Sequence, residues 1–199
     1  MAYQTLAPWA NQVPDHSLVT AEELAHMPDD GWNYELVEGR LVRMPLAGTQ
    51  HGRHVMRLAF ALMSFTEPRE LGIVFTAETG FLISRVGEPD TVLGPDAAFL
   101  RTERIPPESE QDKAFWRVAP DLAVEVASPD QYRPELAVKA RRYLASGVQL
   151  VWVVWPRYRQ VDIWQAGATA PPVALGIGDD LDGGDVIPGF RFPVAQLVP

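Results

Sequence analysis

The stretch that most constrains this chain runs from Pro120 to Pro156. It opens Pro-Asp-Leu-Ala-Val-Glu-Val-Ala-Ser-Pro, passes through a helix-like segment, and closes on Gly147-Val-Gln-Leu-Val-Trp-Val-Val-Trp-Pro156. Two apolar runs of strand length flank one helix, which makes a compact strand–helix–strand unit. In the first run Leu122, Ala123, Val124, Val126 and Ala127 are apolar on both faces, the mark of a strand covered from both sides. Glu125 sits in its middle. An ionised carboxylate buried without a partner carries a large free-energy cost or changes its protonation state. A metal ion, a cationic side chain or a proton must therefore compensate Glu125.

The helix that follows offers a cation. Pro134 suits its first turn, and Gly147 suits the position just past its end. Leu136, Ala140, Tyr143 and Leu144 make the apolar face. At about 100° per residue, Lys139 lies about 80° from the centre of that face, with Arg141 and Arg142 about 120° and 140° away. Lys139 is the cation best placed to lean back toward the sheet. A buried ion pair between Glu125 and Lys139 is one reading; a functional site is the other.

Further carboxylates stand earlier in the chain. Thr20-Ala-Glu-Glu23 matches a capping box and predicts a short helix to about Met27. Trp32–Val37 and Arg40–Met44 are strand-like runs around Glu38-Gly39, which predicts a hairpin. Glu35 shares a face with Val37 rather than with Glu38, so it either points inward or reaches solvent from an edge strand. Gly48 to about Phe65 reads as a helix with the stripe Val55, Leu58, Ala59 and Leu62. His51 falls on that stripe near the helix start, as a packed core histidine or as a site residue. Arg53 and Arg57 read as a solvated face.

Gly72–Ala77 and Gly80–Ser84 are expected to pair as antiparallel strands, and Gly94-Pro-Asp96 leads directly into the apolar run Ala97–Leu100. Pro-Asp pairs recur at Pro14, Pro28, Pro89, Pro120 and Pro129, mostly where turns are expected. Asp96 differs in preceding an apolar strand. Residues 102–116 read as a surface loop, and Arg159–Trp164 as another strand. Asp179–Asp185 lacks the spacing and the closing Glu of a calcium loop and reads as a solvated turn. No repeat, phosphate-cradling glycine loop or Gly-x-Ser-x-Gly elbow is present.

Composition narrows the function classes. A net charge of −9 argues against avid, non-specific nucleic-acid binding over the whole surface, though a local basic groove remains compatible. With no cysteine there is no disulfide, Cys-ligated zinc or Cys nucleophile, and a reducing, cytoplasmic setting is expected. No signal peptide or membrane-spanning run is evident. At 199 residues the expectation is an N-terminal arm over 1–19 followed by one domain over 20–199.

In chain order the candidates are Glu35, His51, Asp96, Glu125 and Lys139. Carboxylates on neighbouring strands can share a hard divalent cation, which compensates the buried charge. That order, with Tyr34-Glu-Leu-Val-Glu-Gly39, the helix at His51, Pro95-Asp96, Pro120–Pro129, Lys139 with Tyr143 and Gly147, Val151–Val154 and Gly184–Gly189, resembles the Uma-type endonucleases of the PD-(D/E)XK superfamily. The resemblance spans roughly residues 18–199. It implies an α/β (α+β) restriction-endonuclease-like core, a mixed central sheet flanked by helices with an N-terminal hairpin. It also implies Asp96 and Glu125 as metal ligands for Mg2+ or Mn2+, Lys139 as a catalytic lysine and Glu35 as an early acid near the metal. The superfamily pattern places its lysine two residues after the second acid, where this chain has Ala127, so the role passes to Lys139. The implied function is metal-dependent hydrolysis of DNA. The alternative is a nuclease-fold module that binds nucleic acid or a partner protein without cleavage. A homodimer is expected, with the Trp-rich strands as a pairing surface.

Overall fold

A computed structural model describes residues 18–198. The expected N-terminal arm lies outside the described residues except for Leu18 and Val19. In chain order the elements are α1 (Ala21–Ala25), β1 (Asn33–Val37), β2 (Arg40–Met44), α2 (Thr49–Thr66), β3 (Gly72–Thr76), β4 (Phe81–Leu82), β5 (Val92–Leu93) and β6 (Ala97–Arg101). There follow α3 (Glu108–Gln111), β7 (Leu122–Val126), α4 (Arg133–Ala145), β8 (Leu150–Trp155), β9 (Gln160–Gln165), β10 (Val173–Leu175), β11 (Asp180–Asp182), β12 (Arg191–Pro193) and α5 (Val194–Leu197). They fall into two units, residues 18–46, 80–94 and 106–118 in the smaller and 47–79, 95–105 and 119–198 in the larger. No helix among the described residues is long and apolar enough to cross a membrane.

The smaller unit is a four-stranded antiparallel sheet in the order β2-β1-β5-β4. Its hairpin turns at Glu38 (φ 52°) and Gly39 (φ 75°), and two positive φ values in succession are what a two-residue turn needs to match the twist of its strands. Thr20 caps α1 through the reciprocal bonds of a capping box with Glu23. The helix stops at Ala25, two residues short of the expected Met27. Leu36, Val92, Leu82, Val19, Ala21 and Leu24 form the core.

The larger unit carries a six-stranded mixed sheet in the order β10-β9-β8-β7-β6-β3. β7 and β8 are parallel neighbours joined through α4, as the strand–helix–strand pattern predicts. Every residue of β7 and of β8 is buried. The even positions Leu122, Val124 and Val126 face Val55, Leu58, Ala59 and Leu62 of α2 in the main core. Alternation sends Glu125 to the other face, where α4 buries Leu136, Ala140 and Tyr143.

Two expectations about pairing fail. Residues 72–77 and 80–84 do not pair with each other. β3 pairs over five positions with β6, while β4 pairs with β5 in the smaller unit. The local signal was a short connection. The outcome is set by burial: β6 is buried at Ala97–Leu100 and needs a partner on each side, and Phe81 is buried in the smaller unit. Nor do the Trp-rich strands offer a pairing surface, because Trp152 and Trp155 are buried inside the fold. Asp179–Asp185 is partly a strand, β11, paired with β12. Residues 102–116 contain one 3-10 turn and the four-residue α3. Arg57 is not simply solvated: its Nη1 donates to the Gln196 carbonyl at 2.7 Å.

Candidate functional site

Asp96 stands one residue before β6 and Glu125 is the fourth residue of β7. The two strands are antiparallel, with Ala97 opposite Val124. Continued by one step, that register sets Asp96 across from Glu125, where the strand pair ends beside the first turn of α2. The topology thus brings the two acids to one end of the sheet.

Each acid has a basic side chain as partner within the larger unit. His51, in the first turn of α2, donates from Nε2 to Asp96 Oδ2 at 3.0 Å. The main-chain N–H of Val126 donates to the same oxygen at 2.7 Å. On α4, Lys139 Nζ lies 2.9 Å from Glu125 Oε1. Tyr143 Oη, one helical turn on, donates to that same Oε1 at 2.9 Å. Lys139 thus leans back onto the sheet, as its angular position predicts, and both donors fix the Glu125 carboxylate from one side.

The burial is deep. Glu125 is 5% exposed, and the His51 side chain 10%. The hydrogen bond to Asp96 raises the pKa of His51 above its ordinary value. Burial opposes that rise, while the charges of Asp96 and Glu125 and the Val126 main chain add to it. Nδ1 of His51 is buried without a hydrogen-bond partner. Among the described residues no three or more His, Cys, Asp or Glu side chains come together so as to hold a metal ion by themselves.

Glu35 belongs to the smaller unit. It is buried, and one carboxylate oxygen accepts the Gly94 N–H at 2.9 Å. The inward orientation, one of two readings from the sequence, is the one observed. His51, Asp96, Glu125 and Lys139 come together in the larger unit.

A family model described as "Putative restriction endonuclease", Uma2, matches residues 21–195. The chain belongs to the Uma2 family. No curated protein matches it. A crystal structure described as that of a putative nuclease belonging to DUF820, from Anabaena variabilis, superposes with a TM-score of 0.77 at 19% identity, covering 90% of this chain and 97% of that one. At that identity the likeness establishes a shared fold. The restriction-endonuclease-like architecture expected from the sequence is therefore the architecture of this Uma2 chain.

Two features escaped the sequence reading. Tyr143 lies on the apolar face of its helix yet has a polar role toward Glu125; its i+4 spacing from Lys139 is the available signal. Asp121 follows Pro120 just as Asp96 follows Pro95, and an apolar strand follows each. Because β6 and β7 run antiparallel, the two Pro-Asp pairs end up at opposite ends of the sheet. Asp121 is 1% exposed and accepts from the Arg101 N–H at 3.0 Å and from Arg104 Nη1 at 2.8 Å. It lines a cavity of about 590 Å³ with Arg101, Arg104, Gln149, Asp182 and Asp185. None of the candidate site residues lines that cavity, so the space does not mark the carboxylate site.

Proposed function

We propose that this Uma2 chain is a metal-dependent endonuclease that hydrolyses phosphodiester bonds in DNA. The observation that carries the reading is the pair of acids on adjoining strands, Asp96 and Glu125, with Lys139 held 2.9 Å from the second. Family membership supports it.

The donor set fits a hard divalent cation. Mg2+ takes one or two carboxylates, keeps several waters and needs no all-protein cage. The contacts of Asp96 fall on Oδ2, leaving Oδ1 without a protein partner among the described residues. Asp96 and Glu125 would hold the ion. When bound, it lowers the pKa of its water and offsets negative charge on a phosphoryl oxygen.

The remaining roles belong to the chain. His51 and the Val126 N–H aim the Asp96 carboxylate. Tyr143 keeps Glu125 from rotating away from the strand end. Lys139 brings an ammonium to the place where a phosphoryl oxygen gains charge, or orients the attacking water from there. Apolar walls around the site strengthen each of these electrostatic effects.

One observation favours the alternative, a nuclease-fold module that binds without cutting. Lys139 and Tyr143 already compensate Glu125, so burial of that charge alone does not require a metal. Cleavage of plasmid DNA with Mg2+ decides between the two. The native protein is expected to nick or linearise it, and Asp96→Asn, Glu125→Gln and Lys139→Met to lose at least about 100-fold in rate. Manganese binding, followed by electron paramagnetic resonance, is expected to vanish in Asp96→Asn. A native protein that binds manganese at this site yet cuts no nucleic acid would establish the binding-module reading instead.

A further inference from the structure

The outer face of α2 is unusual for a helix exposed to water. Its inner stripe is buried in the core. Its outer stripe carries Met56, Phe60 and Met63 at 63%, 63% and 39% exposure. A helix that is apolar on both sides is normally covered on both sides.

The same stripe extends to a charge at each end. Arg53, Met56, Phe60, Met63 and Glu67 follow one another at spacings of three and four, and Glu67 keeps helical dihedrals (φ −59°, ψ −50°) as the C-cap. Arg53 and Glu67 are exposed, and neither has an ion-pair partner among the described residues. The stripe thus runs basic, apolar, apolar, apolar, acidic.

We propose that this face of α2 is a homodimer interface, with α2 packed antiparallel against α2 of a second copy about a two-fold axis at Phe60. A two-fold axis at position 60 places residue i against residue 120 − i. That sets Arg53 opposite Glu67 of the other copy, twice by symmetry, and brings Met56 within one position of Met63 of the other copy on either side of the paired Phe60 rings. A parallel arrangement would set Arg53 against Arg53 and Glu67 against Glu67. Antiparallel packing also opposes the two helix dipoles favourably.

Taking roughly 200 Å² for a large side chain, the three apolar residues expose on the order of 300 Å² per copy. A stable interface takes about 800 Å² from each side, so the stripe forms less than half of it and the surface flanking α2 supplies the rest. The apolar stripe supplies the centre, and Arg53, Ser64 and Glu67 supply a polar rim, the usual composition of such a surface.

Sedimentation equilibrium on the full chain tests the proposal, with circular dichroism confirming that each variant is folded. The native protein is expected at twice 22.1 kDa. Phe60→Glu is expected to give the monomer. Arg53→Glu and Glu67→Arg are each expected to weaken dimerisation by roughly 100-fold, because each creates two like-charge contacts. Combining the two is expected to restore the dimer, since the charges then match again in reversed order. A monomeric native protein overturns the proposal. So does a dimer that survives Phe60→Glu, or a double reversal that rescues nothing.

Discussion

Replacing Lys139 with methionine isolates the electrostatic requirement around Glu125. Methionine keeps the length and the apolar stem of lysine and removes only the ammonium. Glu125 would retain the Tyr143 hydroxyl at 2.9 Å but lose the cation at the same distance. Both side chains of the pair are largely buried, at 15% exposure for Lys139 and 7% for Glu125. Solvent therefore cannot substitute for the lost partner. Removing one member of a buried pair costs about 3–5 kcal/mol, and the remaining tyrosine bond places this case near about 3 kcal/mol. For a chain of this size that is a fall in melting temperature of roughly 6–12 °C. Glu125→Gln leaves a long, flexible lysine that can reach toward water, so its cost is smaller, about 1–2 kcal/mol. The two changes together remove both charges, and the double variant is expected to be about 2 kcal/mol more stable than the sum of the singles. Urea unfolding of the four proteins in chelator closes the cycle. Additivity within about 0.5 kcal/mol would show that the two groups do not depend on one another, and the argument from burial would fail.

Two further outcomes follow from the same geometry. The pKa of His51 is raised in the folded chain, so its bond to Asp96 contributes fully below the unfolded value of about 6.5 and is lost as pH rises through the folded value. In chelator, the melting-temperature gap between native protein and His51→Gln is expected to be wider at about pH 5.5 than at about pH 8.5; an equal or reversed gap refutes the assignment. Asp121→Asn turns one acceptor oxygen toward Arg101 or Arg104 into a donor and is expected to cost about 2–4 kcal/mol in urea unfolding. Lying at the far end of the sheet, it is expected to leave any cleavage per folded molecule unchanged, and a selective loss of activity would reassign that end of the sheet.

Local chemistry was legible wherever a short run of residues settles the outcome. The apolar run around Glu125 marked a doubly covered strand, Glu38-Gly39 marked a tight turn, and the angular position of Lys139 placed its ammonium against the sheet. Each depends on alternation, helical period or φ preference, which act over a few residues. Pairing across the chain was not legible in the same way. Nothing in residues 72–84 says that β3 joins β6 while β4 joins β5. Nothing near Pro95 or Pro120 says that one aspartate meets His51 and the other Arg104. Those partners lie 45 and 17 residues away along the chain. Their choice depends on which strand edges and helix faces remain to be covered once the core has closed, a condition imposed by the whole packed molecule rather than by any segment of it.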